Sequence, residues 1–526
     1  MKPASHILHK VRRGVQSVAY GNAIYQKILA SGEIPDRLYF TLADPWPGDA
    51  QAGSALISSQ PNMFDNTVAI SLRHAAAVLR NLRAVGTETA RQMSVQLIDN
   101  WLQHYDIWSE DEWAPHVLGE RIAAWIGFYE FYAPAALTDF THNVTSSLYR
   151  QWKHLVRTLP SSLVGAAGLQ SIRGLVYGGL NFPEGDKALG LACDLLQRQL
   201  AEEILPDGGH ISRNPTMQLH MLRHLVDLRS IFTVAGFEGP SLLNVAISSM
   251  VPGLKFFRHG DGKLALFHGG LEETSLLIDA VITQSEVRGR ALHRLPETGY
   301  ERLMAGRSLL LTDVKQPAPK DYDKCAHAGL LSFELGSGRE RLIVNCGAVE
   351  SGAEWRLAMA ATAAHSTLTI EDTNACSIIA SGGVSSWPKV EAHRYEQEGI
   401  QYIDMNHDGY YQSFGLIHQR ILGLSGDGET LQGKDTLKGA SGRKFAIRWH
   451  LHPSVQVSLT QGGQAALLRT ASGSGWRLQI EKSGLSLESS IYCGQGTPRR
   501  SQQLKLSHVT SGPETAIAWR VIRDKK

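Results

Sequence analysis

The stretch Leu205-Pro-Asp-Gly-Gly-His210-Ile-Ser-Arg213-Asn214-Pro215 sets an imidazole, a guanidinium and a carboxamide within a few residues of one another. Gly208 and Gly209 permit backbone conformations closed to other residues. Asn214 is a good N-cap and Pro215 suits the first helical position, so a helix is expected to begin here. Its apolar stripe is Met221, Leu222, Leu225 and Leu228. A helix N-terminus favours an anion, and His210 and Arg213 lie in the loop that feeds it. The set suits anion recognition beside a proton-transfer group. The competing reading has His210 capping a neighbouring helix and Arg213 pairing with a surface carboxylate.

A second group follows. His327, in Cys325-Ala-His327-Ala-Gly329-Leu-Leu-Ser-Phe333, is read as opening a strand; Asn345 comes one hairpin later and His365 stands in Thr362-Ala-Ala-His365-Ser-Thr-Leu368. Three strands bringing His327, Asn345 and His365 to one face would make a weak metal site, since zinc prefers a third anionic or imidazole ligand. Each histidine alone suits a core position. His407-Asp-Gly409-Tyr410 reads as a turn before the pair Tyr410-Tyr411. A turn tyrosine is a packing lid or, with a lowered pKa, the acid or base of an elimination. His418, Arg420, Lys434 and Asp435 read as exposed strand positions, and Arg448-Trp449-His450-Leu-His452 as a strand with one polar face. Asp207 and Asp227 are candidates, by type, for the paired carboxylates of an inverting glycoside hydrolase, which stand ~6.5–9.5 Å apart.

The elements that must position these groups change character near residue 253. Before it, apolar residues recur at helical spacing, as in Leu97, Ile98, Trp101 and Leu102, then Ile122, Trp125, Ile126 and Tyr129. Further runs cover roughly 135–157, 161–181, 187–204, 215–235 and 239–250, with breaks at Ala133-Pro134, Leu159-Pro160, Phe182-Pro183 and Gly239-Pro240. Helices of similar length joined by short turns pack as a bundle, a solenoid or an α/α toroid. Asp44-Pro-Trp46-Pro-Gly48 is a rigid loop ahead of them, read as a packing anchor. Beyond 253, alternation takes over. Leu330–Leu335 and Arg341–Val344 form one expected hairpin; Trp476, Leu478 and Ile480, then Leu485 and Leu487, form another. The segment 255–300 is read as linker or first strands. The expected class is α+β multidomain, with helices over 1–253 and an antiparallel β-sandwich over 254–526.

The bulk numbers narrow the partners. The chain has 526 residues, 43% hydrophobic and 19% charged, which fits two globular domains. The 52 Lys+Arg nearly cancel the 50 Asp+Glu for a net +2, so no basic field points to nucleic acid. No apolar run approaches the roughly 18 residues of a membrane span. Cys193, Cys325, Cys346, Cys376 and Cys493 are too scattered for a disulfide framework and fit reduced thiols. The basic start Met1–Arg13 precedes no compact apolar stretch, so a cytoplasmic setting is the expectation from sequence.

Taken in order, these pieces resemble the bacterial heparinase II/III-like polysaccharide lyases over nearly the whole chain. Asp44-Pro-Trp46-Pro-Gly48 with Trp101, Arg121 and Trp125 is similar to the family's helical half. Gly208-Gly-His210 with Arg213-Asn214-Pro215 resembles its Gly-His-x-x-Arg-Ser-Pro motif. Leu330-Leu-Ser-Phe333, Val344-Asn-Cys-Gly347, Thr362-Ala-Ala-His365 and His407-Asp-Gly-Tyr410 resemble its strand motifs. The resemblance implies an N-terminal (α/α) toroid, a C-terminal antiparallel β-sandwich, and β-elimination on a uronic-acid polysaccharide or oligosaccharide. It implies that Arg213 and Asn214 hold the uronate carboxylate, and that His210, His327 and Tyr410 supply catalysis. Neutralising that carboxylate stabilises the enolate that forms when the C5 proton leaves. The cofactor it allows is a divalent metal, zinc or calcium, on His327, Asn345 and His365; a periplasmic setting follows from the family, and a homodimer stays open. The chain departs from the family pattern at Cys325 and Gly329, which replace a histidine and an aspartate, at Asn345, which replaces an aspartate, and at Met217-Gln218, which replaces Tyr-His. These departures motivate the alternative of a catalytically degenerate glycan-binding or polysaccharide-assembly protein.

Overall fold

The computed structural model describes residues 19–59, 75–349, 352–481 and 484–524. The basic start Met1–Arg13 lies outside them. The chain divides into two compact units, one of Met1–Glu202 with Arg223–Val245, the other of Glu203–Leu222 with Ala246–Lys526. Among the described residues, no helix is long and apolar enough to cross a membrane.

The first unit is helical, with Glu88–Tyr105, Pro115–Gly127, Thr138–Thr158, Gly165–Gly179 and Gly185–Glu203 as its longer members. Thr138–Thr158 shows why: Phe140, Val144, Leu148, Trp152 and Leu155 recur every three to four residues and are buried. Its polar interior is paired. Arg173 meets Glu120 at 3.3 Å and also pairs with Asp227. Asp44 accepts from Arg80 Nε at 3.0 Å, and its Pro-bracketed neighbour Trp46 is buried. Arg121 lies 4.0 Å over the Trp101 ring and donates to Gln151 at 2.8 Å.

The second unit holds two antiparallel sheets. Their strands are β1 (Arg294–Leu295), β2 (Tyr300–Ala305), β3 (Ser308–Asp313), β4 (Phe333–Ser337), β5 (Glu340–Val344), β6 (Leu368–Ile370), β7 (Val390–Gln397), β8 (Ile400–His407) and β9 (Leu416–Ser425). The rest are β10 (Thr430–Gly439), β11 (Lys444–Leu451), β12 (Gln456–Thr460), β13 (Ala465–Arg469), β14 (Gly475–Ile480), β15 (Leu485–Tyr492), β16 (Arg499–Val509) and β17 (Glu514–Arg523). One sheet runs β1-β2-β3-β4-β5-β11-β16-β15, with β6 paired to β11; the other runs β12-β13-β14-β17-β10-β9-β8-β7. Inward-facing residues of both sheets, including Phe333, Leu342, Trp449, Leu422 and Trp519, share one core. The fold class is the expected one: a helical N-terminal region of the α/α toroid type, then an antiparallel β-sandwich.

Three local expectations fail. The segment 255–300 contains a helix, Ser275–Gln284, started by Thr274, whose hydroxyl accepts from Leu277 N at 3.2 Å. β14 and β15 do not form a hairpin: β14 pairs with β13 and β17, β15 with β16, so the chain changes sheets between them. The C-terminal strand β17 takes the edge of β14 that a hairpin would have used. His418, Arg420 and Asp435 are buried, not exposed. Asp435 accepts from His418 Nε2 at 2.8 Å, Arg420 Nε at 2.7 Å and Trp519 Nε1 at 2.8 Å. Alternation placed His418 and Arg420 on the same face as Leu416 and Leu422, and partners on two other strands make that face tolerable for charge.

Candidate functional site

The loop before helix Pro215–Ala235 is tightly built. Gly208 has φ +78, and a Cβ there would meet Ser249 O at 2.0 Å; a Cβ on Gly209 would meet Thr298 Oγ1 at 1.7 Å. Asp207 accepts from Thr298 N at 2.8 Å and from Thr298 Oγ1 at 2.7 Å. Gln218, where the family has histidine, accepts from His210 N at 2.7 Å and donates to Gly208 O at 2.7 Å and Met250 O at 3.1 Å. That departure is a clamp on the loop.

The motif side chains themselves are engaged. Ser212 N donates to His210 Nδ1 at 3.1 Å, which leaves the proton on Nε2, 3.0 Å from Glu203 Oε2. His210 is only 2% exposed. Arg213 sits at φ +61 and uses every N–H of its guanidinium: Nε to Thr298 O at 2.7 Å, the terminal nitrogens to Lys315 O at 3.0 Å, Gln316 O at 2.5 Å, Gly299 O at 3.1 Å and the Asp313 carboxylate. Asn214 caps the helix, its Oδ1 accepting from Met217 N at 2.9 Å, and its Nδ2 donates to His268 O at 2.7 Å. Tyr300 OH donates to Arg213 O at 2.6 Å.

Asp313 passes the arrangement onward. Burial alone would raise its pKa; the Arg213 guanidinium and His268 outweigh that and hold it below the usual carboxylate range. His268 Nε2 donates to Asp313 Oδ2 at 2.9 Å, and its Nδ1 accepts from His327 N at 3.2 Å. Burial keeps His268 below the ordinary imidazole pKa, so the ring is neutral. A run Arg213–Asp313–His268 thus ends at the backbone of His327. Neither His268 nor Asp313 was singled out from sequence. The cue for the first is Phe267-His268-Gly269-Gly270, a second histidine beside two glycines.

His327 does not open a strand. It lies in the loop before β4, His365 follows the short 3-10 turn Thr362–Ala364, and Asn345 follows β5. Loops, not strand faces, bring them together. His365 Nδ1 donates to Ala361 O at 2.8 Å, so its Nε2 accepts from His327 Nδ1 at 3.2 Å. His327 Nε2 is left with its lone pair. Burial, then the neighbouring His365, hold His327 well below the ordinary imidazole pKa, and burial pushes His365 down to about 4. Gly329, where the family has aspartate, makes room for this ring: a Cβ there would meet His365 Cδ2 at 2.5 Å. Asn345 Oδ1 is already taken by Ser366 N at 3.1 Å. Among the described residues, no three of His, Cys, Asp and Glu gather to hold a metal ion. A hydrogen-bonded imidazole pair with an engaged amide does not offer the donor set a divalent ion requires.

His327 lines a pocket of 120 Å³ with Lys324, Cys325, Arg356 and Gly269. Lys324, Cys325 and Arg356 are exposed, and among the described residues neither cation makes an ion pair. Tyr410 is not there. It is fully buried in the sandwich core, its hydroxyl donates to Leu368 O at 2.9 Å, and burial raises its pKa, the opposite of what an elimination acid or base needs. Asp207 and Asp227 are each engaged, with Thr298 and with Arg173.

Comparison with known proteins bears on both halves. Residues 287–520 match the family model described as heparinase II/III-like, C-terminal. A protein of Caulobacter vibrioides, FtsZ-localized protein C, is 28% identical over 93% of this chain and 91% of its own. Among solved structures, heparinase III aligns with TM-score 0.69 at 13% identity, covering 85% of this chain and 75% of that one. The heparan sulfate lyase of Pedobacter heparinus gives TM-score 0.61 at 15% identity over 88% and 78%. The chondroitin AC lyase of Streptomyces coelicolor gives 0.59 at 11% over 98% and 83%. At these identities the structural likeness is one of fold.

Proposed function

We propose, from a C-terminal half that is a heparinase II/III-like domain on a polysaccharide-lyase fold, that this protein recognises an acidic glycan without cleaving it. One observation carries the reading: all five N–H groups of Arg213 are used inside the protein, so the residue expected to clamp a uronate carboxylate has none to give. β-Elimination needs that clamp, because the C5 proton is a poor acid until the carboxylate beside it is neutralised. His210, Asn214 and Tyr410 are likewise engaged. What stays open to an anionic sugar is the pocket with Lys324, Arg356 and the neutral His327. The relative named for FtsZ localisation, a name that states a place and no reaction, supports recognition over turnover.

A second reading, a lyase, is favoured by His327 alone. A neutral imidazole with a bare Nε2 lone pair facing a cationic pocket is suited to take a C5 proton. The electron pair of that C–H bond would form the C4=C5 double bond as the glycosidic oxygen leaves C4.

One experiment separates them. The full chain is incubated with alginate, heparan sulfate, hyaluronan and bacterial exopolysaccharides while binding and the ultraviolet absorbance of unsaturated uronates are followed. Binding to at least one polymer with flat absorbance is expected. Rising absorbance that His327→Gln abolishes would replace recognition by cleavage, and no binding to any polymer would reject both.

A further inference from the structure

The outer face of the second sheet carries a groove that the proposed function does not use. Strand register lines up one row across six strands: Tyr395 opposite Tyr402, Tyr402 opposite Gly423, Gly423 opposite Gln432, Gln432 opposite Arg520 and Arg520 opposite Gln479. Side chains alternate along a strand, so the neighbours Leu431, Trp519 and Ile480 point into the core while this row points away. Lys434 lies on the same face, two residues from Gln432. The groove has a volume of 550 Å³, within the range of ligand-sized sites.

Its lining has a definite chemistry. Tyr395 and Tyr402 stack with ring centroids 5.0 Å apart and planes within 14°. Gly423 lets Tyr402 lie across the sheet, since a Cβ there would meet the ring at 2.5 Å. Five glutamines line the groove, each offering both a donor and an acceptor. Lys434 and Arg520 are exposed, and among the described residues neither makes an ion pair. Aromatic rings take the C–H faces of pyranoses, amides take hydroxyls in both senses, and a guanidinium takes a carboxylate in bidentate fashion.

We infer that this groove is a second binding site, for a carboxylated oligosaccharide, separate from the His327 pocket. The arrangement matches a uronate better than a neutral sugar because two cations, Lys434 and Arg520, outnumber the single carboxylate of the lining, Glu481, and neither is paired with it among the described residues. It matches a sugar better than an acidic peptide because two stacked tyrosines and five glutamines make up most of the polar lining, and the carboxylate of Glu481 at its rim would repel a second run of acidic side chains.

The test uses the full chain and tetragalacturonate, with neutral maltotetraose and tetraglutamate as comparators, by titration calorimetry. Tetragalacturonate is expected to bind and maltotetraose to bind at least about tenfold more weakly. Lys434→Gln with Arg520→Gln should weaken tetragalacturonate at least about tenfold, and Tyr402→Ala severalfold. These positions are on the surface, so folding is not at stake for the cation variants. Wild-type affinity in the double variant overturns the inference even where His327→Gln abolishes binding, which would place all recognition in the pocket. Tetraglutamate binding as tightly as tetragalacturonate overturns it in favour of a peptide surface, and no binding of tetragalacturonate overturns it outright.

Discussion

The loop at 205–215 and the pocket at His327 hold similar residue types in opposite condition. In the loop, an arginine, a histidine and an asparagine are buried and bonded to carbonyls, to Glu203 and to Asp313. In the pocket, a lysine and an arginine are exposed and unpaired among the described residues, and an imidazole keeps a bare nitrogen. The two are joined through Asp313 and His268, which reach the His327 backbone. The difference teaches that a motif names residue types, whereas chemistry depends on how much hydrogen-bonding capacity the surrounding backbone has left unused. Arg213 is in the left-handed region, uncommon for a residue with a side chain, and its bonds to four carbonyls and one carboxylate keep it there.

The sharpest way to break this contrast is to remove the guanidinium. Arg213→Met leaves the Asp313 carboxylate buried with only a neutral imidazole and the Lys315 N–H beside it, and takes the guanidinium donors from four carbonyl groups, of which Gly299 O keeps a bond from Val314 N. The expected loss is about 3–5 kcal/mol, read from urea denaturation and from hydrogen exchange in β3. A variant within 1 kcal/mol of the parent would mean that the guanidinium is dispensable to the fold and free for a ligand, and the loop would rejoin the candidate site.

A smaller effect comes with acid. His450 is buried between Ser490 Oγ at 2.8 Å and Ala363 O at 2.9 Å, and burial pushes its pKa down to about 3. Unfolded, it titrates near pH 6.5, so the unfolded chain takes up the proton first. Its contribution is therefore complete above about pH 6.5 and is lost as the pH falls toward 3. Between pH 7 and pH 5 this amounts to about 2 kcal/mol, and His450→Gln is expected to flatten the stability–pH curve by that much. An unchanged slope would show that the ring takes up a proton while folded. Such a ring would belong with the open groups of the pocket.

Much of this was legible in the residues. Helical spacing before 253 and alternation after it gave the two kinds of architecture, and Asn214-Pro215 gave the start of a helix that indeed runs Pro215–Ala235. What was not legible depends on partners distant in sequence. Arg420 is tolerated inside the sandwich only because Asp435 and two carbonyls meet it; Arg213 is occupied only because residues 298–316 fold over it. β14 and β15 look like a hairpin until β17 takes one of them. Lys324 shares the loop of His327, but Arg356 comes from the helix Ala353–Ala360, and no spacing rule brings that helix to His327 across the intervening β4–β5 hairpin. The same is true of the groove, whose row of side chains exists only through strand register.

The smallest effect on stability should fall on His327. Its Nδ1 donates to His365, and a glutamine amide of similar reach preserves a donor there, while Nε2 gives up no bond because it makes none among the described residues. His327→Gln is therefore expected to stay within about 1 kcal/mol of the parent in urea denaturation, against the several expected for Arg213→Met. The same substitution removes the one uncommitted imidazole nitrogen from the cationic pocket, so its consequence should be read in glycan binding at the pocket. Equal destabilisation of the two variants would erase the contrast. His327 would then be one more link in the buried run from Arg213, and the pocket would lose the group that distinguishes it from the loop.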